Sequence, residues 1–142
     1  TYQFFQKSLQ KYSLYPVYNL AQFKHIFMDT TIVKAWILLK DTKIIGFTAF
    51  AINQFQMYTL KYQIAEIIYY IAPSNYFYTL FNKILQESHK LGLDKITLID
   101  IMNNYKLIDK FEFQQSMKLN FQMYNYHHHN IIEKQDFAYN VL

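Results

Sequence analysis

Cysteine is absent from the 142 residues, which excludes a disulfide framework and a thiol nucleophile. Its absence fits a reducing compartment, and a cytoplasmic location is the expectation. No apolar run is long enough to cross a bilayer. Residues 1–12 carry polar side chains throughout, so no secretory leader is expected. Basic residues exceed acidic ones, 14 to 10, but the lysines are scattered singly and form no basic block. A nucleic-acid partner is therefore not expected. The mild positive balance suits a phosphate-bearing cofactor instead. No P-loop, HExxH motif or Ser-His-Asp order is present. Glycine and proline occur only twice each, so Pro16, Gly46, Pro73 and Gly92 stand out as punctuation.

What is abundant is apolar and aromatic. Hydrophobic residues make up 52% of the chain, enough for one domain with a real core over residues 1–142. Tyr and Phe number 14 and 13, which an AT-rich coding sequence or aromatic-lined sites would each explain.

The stretch Ala65 to Asp100 organises the rest. Glu66–Ile71 is a β-rich apolar run. Pro73, Ser74 and Asn75 break it, and Ser74 or Asn75 can cap the helix that follows. Phe77, Leu80, Phe81, Ile84, Leu85 and Leu91 then share one helical face. Gly92 stands where a helix end needs a left-handed residue, and Lys95–Ile99 is the next strand. A right-handed crossover makes the two strands parallel. It also leaves a helix N-terminus beside a strand end, a site suited to an anion.

Before this unit, Tyr2, Phe5, Leu9 and Tyr12 form a helical stripe. Asn19 can cap a second helix that buries Leu20, Phe23, Ile26 and Phe27. Val33–Lys40 and Ile44–Ile52 pair as a hairpin about Asp41 to Lys43. Gly46 marks a bulge or a close approach, and residues 53–62 read as strand continuation or loop. After the unit come a short helix, Asn104–Phe111, and two strands, Met117–Tyr126 and Asp136–Leu142. The helix offers Tyr105, Leu107, Ile108 and Phe111 as buried positions. His127, His128 and His129 cannot all face one way in a strand, so they read as a polar turn rather than a metal site. The expected order is α-α-β-β-β-α-β-α-β-β.

That order is similar to the GNAT acyltransferase fold. The fold class expected is α+β: a single GNAT-like domain whose mixed, mostly antiparallel sheet has splayed central strands flanked by helices. The usual pyrophosphate loop of that fold, Gln/Arg-x-x-Gly-x-Gly/Ala, is missing. The chain reads APSNYFY after Ile71.

A closer resemblance is to the C-terminal half of the protein N-myristoyltransferases. LQKYSLYPVYNLAQFKHIF, from Leu9 to Phe27, resembles that family's LKQFxLxPVxxxEEVxHWF. WILLKDTKIIGFTAF, from Trp36 to Phe50, resembles its paired strands. Leu80 to Phe113 matches its helix and following segment without a gap, with identities at Gly92, Asp94, Asp100, Met102, Asn104 and Phe113. LNFQMYNY, from Leu119 to Tyr126, resembles LxYYLYNW. The likeness covers nearly the whole chain. There are departures. The family's FGxGDG turn becomes Phe113 to Lys118 and loses its Asp, with Ser116 near that place. SFYxLP becomes Ala49 to Asn53. The family's acyl-CoA-holding N-terminal half has no counterpart here.

The resemblance implies an acyl-CoA-dependent protein N-acyltransferase that uses no metal. Its co-substrate would be acyl-CoA and its acceptor a protein or peptide with an N-terminal glycine. The matching general base is the α-carboxylate of Leu142. Partial desolvation at a strand end would raise its basicity toward the glycine ammonium. Glu66 to Tyr70 stands where the fold would supply oxyanion donors, with the amides of Tyr69 and Tyr70 in that role. Ile71, Ser74, Asn75 and Tyr76 would line the CoA site, although Pro73 removes one donor. Substrate contacts fall on Phe50, Asn104 and Tyr124. A one-domain enzyme must make room for the acyl tail within its core, so a medium chain of roughly ten carbons is expected. The rival readings are a catalytically inactive module that binds N-terminal peptide or lipid, and one half of a two-chain transferase. The protein is expected to be a monomer or homodimer.

Overall fold

The computed structural model describes residues 1–28, 31–116 and 138. Two helices come first, α1 (Tyr2–Leu9) and α2 (Leu20–Phe27). α2 begins with a full capping box: the Asn19 side chain accepts from the Gln22 N–H, and the Gln22 side chain accepts from the Asn19 N–H, both at 2.9 Å. Of the expected stripe, Phe5 and Leu9 are buried on α1 and Tyr2 is half-buried, whereas Tyr12 is buried just beyond the helix end. On α2 Phe23 and Phe27 are buried, whereas Leu20 is exposed.

Among the described residues, four strands form one sheet in the order β1-β2-β3-β4. β1 (Val33–Lys40) and β2 (Lys43–Met57) are antiparallel about a two-residue turn in which Asp41 and Thr42 both take positive φ. β3 (Leu60–Ile71) is antiparallel to β2 through Met57 and Leu60, so residues 53–57 and 60–62 are strand and 58–59 the turn between them. A 3-10 turn, Ser74–Tyr76, then leads into α3 (Phe77–Lys90). β4 (Lys95–Leu98) returns parallel to β3, as the crossover predicts. α4 (Tyr105–Lys110) follows. The strands expected at 117–126 and 136–142, and the histidine turn, lie outside the described residues.

The sheet separates two apolar clusters. One contains Phe5, Leu9, Phe23, Phe27, Phe47 and Tyr69 under α1 and α2, joined by Ile101, Met102 and Ala138. The other contains Phe50, Ile67, Tyr70, Phe77, Phe81 and Ile84 under α3, with Leu107 from α4. Two expectations about α3 need correction. Neither Ser74 nor Asn75 caps it, because the 3-10 turn intervenes and Tyr76 occupies the cap position without a side-chain bond. Leu91 is 43% exposed, since the helix has ended and Gly92 turns the chain at φ +68. On α4, only Leu107 of the four proposed positions is fully covered, and Tyr105 is exposed.

Candidate active site

Tyr69, Tyr70 and Ile71, three of the residues that the sequence offers as site candidates, lie where β3 and β4 part. Their ladder runs from Ile64 and Lys95 to Ile67 and Leu98, and β3 then continues to Ile71. The physical cause is local. Ala49 pairs with Tyr69 but Phe50 pairs with Ile67, so Ile68 is an extra residue, a β-bulge. A bulge breaks the alternation of side chains. Ile68 and Tyr69 both join the α1/α2 cluster, and Tyr70 turns toward α3.

Each tyrosine is then fixed. The Tyr69 hydroxyl lies 3.2 Å from that of Tyr18, and its ring stands edge-on to Phe5 at 4.9 Å. Thr48, fully buried on β2, donates from Oγ1 to the Tyr69 carbonyl at 3.0 Å. The Tyr70 hydroxyl donates to the carbonyl of Phe77, the first residue of α3. That bond closes the loop 72–76 onto the strand end. Burial pushes the Tyr70 phenol far above its ordinary range, so it stays a donor. Gly46 on β2 completes the arrangement. A Cβ there would lie 2.9 Å from the Ile71 carbonyl oxygen and 3.1 Å from Leu38 Cβ. The close approach and a bulge are both present, since β1 and β2 shift register around Ile45.

The other proposed site residues are placed as follows. Ser74 and Asn75 are exposed on the 3-10 turn, and the Tyr76 N–H donates to the Pro73 carbonyl at 3.0 Å. Phe50 is fully buried against Trp36, with ring centroids 4.9 Å apart, and belongs to the core. Asn104 is 5% exposed. Its Nδ2 donates to the Ile99 carbonyl at 2.8 Å, and its buried Oδ1 has no partner among the described residues. Tyr124 and Leu142 lie outside the described residues. Ala138, four positions before Leu142, is fully buried, and its N–H donates to the Leu14 carbonyl at 2.8 Å. Sequence reasoning did not single out Thr48, Tyr18 or the bulge at Ile68. Only Gly46, a glycine inside a strand, signalled the packing of β2 against the β3 end.

A separate open cleft of about 270 Å³ lies on the α1/α2 face between α2 and β1, walled by Phe23, Phe27, Met28, Trp36 and Phe47. Among the described residues no group of three His, Asp or Glu side chains could hold a metal ion. Among them, too, no helix is long and apolar enough to cross a membrane.

With this geometry in view, the family model for the myristoyl-CoA:protein N-myristoyltransferase C-terminal domain matches residues 1–140. No curated protein sequence matches the chain. Solved structures share its fold. A predicted acetyltransferase from Clostridium acetobutylicum, solved with acetyl-CoA, superimposes with a TM-score of 0.69 at 19% identity, over 89% of this chain and 90% of that one. An acetyl transferase so assigned from Pyrococcus furiosus gives 0.65 at 12% identity, over 87% and 91%. An aminoglycoside acetyltransferase from an uncultured soil metagenomic sample, complexed with sisomicin, gives 0.63 at 11% identity, over 86% and 89%. The GNAT-like fold and the family expected from the sequence are thus both found.

Proposed function

The chain belongs to the family of the myristoyl-CoA:protein N-myristoyltransferase C-terminal domain, and from that premise we propose that it transfers a fatty acyl group from acyl-CoA to the α-amine of an N-terminal glycine. Family and fold are both those of acyltransferases. The observation that carries the reading is the fork itself: β3 runs on to Ile71 after its ladder with β4 has stopped at Ile67, with a bulge at Ile68 and the start of α3 alongside. Such a fork admits a thioester between two strands while the helix start faces phosphate.

In this proposal the neutral glycine amine attacks the thioester carbonyl. A C–N bond forms, the C–S bond breaks, and the CoA sulfur leaves as thiol once it takes a proton. The amides of Tyr69 and Tyr70 beside the bulge face the developing oxyanion. Ile71 and the turn residues Ser74, Asn75 and Tyr76 line the CoA end. Phe50, through the packing it sets, Asn104 and Tyr124 shape the acceptor side. The buried Asn104 Oδ1 supports that role, because an incoming N–H would satisfy it. The α-carboxylate of Leu142 accepts the ammonium proton. We place the activity in one domain, residues 1–142, working in the cytoplasm as a monomer or homodimer.

The test is transfer from a series of acyl-CoAs to a peptide beginning with glycine, followed by mass spectrometry. A medium chain should give the highest rate, and the same peptide with a blocked amine should give none. Best transfer from acetyl-CoA or palmitoyl-CoA rejects the chain-length part. Tight acyl-CoA binding with no transfer to any glycine peptide would favour the binding-module reading.

A further inference from the structure

The far end of the sheet carries a feature that acyl transfer does not use. β2 and β3 run on beyond their neighbours. β1 begins opposite Ala51, β4 begins opposite Ile64, and the β2–β3 ladder continues to Met57 and Leu60. Among the described residues, four pairs from Gln54 with Gln63 outward therefore extend past the other strands as a ribbon roughly 14 Å long, held at its base where Gln63 exchanges hydrogen bonds with Asp94. A two-stranded ribbon without a covered face has little stability of its own.

This ribbon is two-sided. Phe55, Leu60 and Tyr62 continue the face that bears Ala51, whereas Gln54, Gln56, Lys61 and Gln63 continue the opposite one. Phe55 and Leu60 are 53% and 58% exposed. Tyr58, at the tip, is 90% exposed and takes φ +56. A bulky aromatic in a left-handed turn position, where glycine costs nothing, is strained, and its exposure leaves little packing to hold it there. Charge points to the occupant. No carboxylate occurs between Asp41 and Glu66, while Lys61 lies on the ribbon and Lys95 at its base. Of the acids near the base among the described residues, Asp94 already accepts the Gln63 N–H and Glu66 the Asn53 side-chain N–H, each at 2.8 Å.

We propose that the ribbon formed by residues 54–63 is a docking element for an anionic lipid surface. Phe55, Tyr58 and Leu60 enter the headgroup boundary, where aromatic side chains are favoured, and the lysines meet lipid phosphate and carboxylate groups. This element is independent of the acyl-transfer reading, since it lies at the opposite end of β3 from the fork.

The experiment is co-sedimentation of the chain with phosphatidylcholine vesicles, with and without phosphatidylserine, at low and moderate salt. The chain should pellet with the phosphatidylserine vesicles, and salt should release it. Phe55→Ser combined with Leu60→Ser should weaken binding at least tenfold. Tyr58→Gly should weaken it severalfold while the melting temperature holds or rises, because glycine relieves the turn. That variant separates lipid binding from folding. Solution transfer to a soluble glycine peptide should be unchanged in Tyr58→Gly, which separates this inference from the proposed activity. No pelleting of the unaltered chain at low salt overturns the proposal. So does pelleting that none of these substitutions reduces. A concentration-dependent dimer that the same substitutions dissociate, with vesicle binding unaffected, would assign the ribbon to a second copy and also overturn it.

Discussion

The two faces of the sheet are built by different means. The α3 face is largely local: one continuous stretch from β3 through the 3-10 turn to β4 supplies most of its apolar side chains, joined by side chains of β1 and β2 and by Leu107, Phe111 and Phe113. The α1/α2 face is assembled from afar. Phe5 alone meets the rings of Tyr18, Phe23, Phe27, Phe47 and Tyr69 at 4.9 to 6.0 Å, and Ile101, Met102 and Ala138 close the cluster. Aromatic rings meeting edge to face add energy beyond their buried area. The distant face therefore depends on a few large side chains, and the local one on the periodicity of a helix.

The sharpest way to break that contrast is to remove its centre. Phe5→Ala should destabilise the chain by about 3–5 kcal/mol, the range for deleting a buried aromatic. Ile84→Ala on the other face should cost about 2–5 kcal/mol, and the pair should be additive within roughly 0.5 kcal/mol if the sheet separates the clusters. Urea unfolding of the single and double variants measures both; clear non-additivity would show one core. Next comes Gly46→Ala. Its Cβ would press on the Ile71 carbonyl, so a loss of about 1–3 kcal/mol is expected, together with weaker acyl-CoA binding by calorimetry. Tyr70→Phe tests the bond that ties β3 to α3 and should cost about 1 kcal/mol. Hydrogen exchange should quicken at the first turn of α3 and leave α1 unchanged. Asn19→Ala removes the capping box of α2, again for about 1 kcal/mol, with exchange quickening on the α1/α2 face alone.

The smallest effect at ordinary pH is that of the buried phenols. Burial pushes Tyr12, on the α1/α2 face, up to about 12, and it raises Tyr70 as well. A raised phenol favours the folded state fully below the unfolded value of about 10. That contribution is lost as pH climbs through the folded value, because the unfolded chain then gives up its proton first. Melting temperatures should be flat to about pH 9 and fall above pH 10.

This contrast also governs what the sequence could reveal. Phe77, Leu80, Phe81 and Ile84 announce their helix by spacing, Asn19 announces its cap, and Asp41 to Lys43 announces its turn. The fold class followed from the order of such elements. The assignment of Tyr69 and Tyr70 to opposite faces did not. Strict alternation would have put Tyr69 beside Ile67 and Tyr70 beside Ile68, and only the register with β2 exposes the inserted residue. The same holds for Thr48, whose hydroxyl matters only because β2 lies across from the Tyr69 carbonyl. The α3 cap failed for a related reason: Ser74 has the right chemistry, but the chain makes a 3-10 turn before the helix begins.

The base of β4 carries one further consequence. Asp94 grips Gln63 twice: its carboxylate accepts the Gln63 N–H, and its own N–H donates to the Gln63 carbonyl, each at 2.8 Å. Two strands fastened there and diverging at the other end work like tongs with a fixed rivet. A bulkier guest would widen the jaws by swinging β4 about that rivet instead of sliding it along β3. Strand register would survive a change of guest, and an opening angle would record its girth.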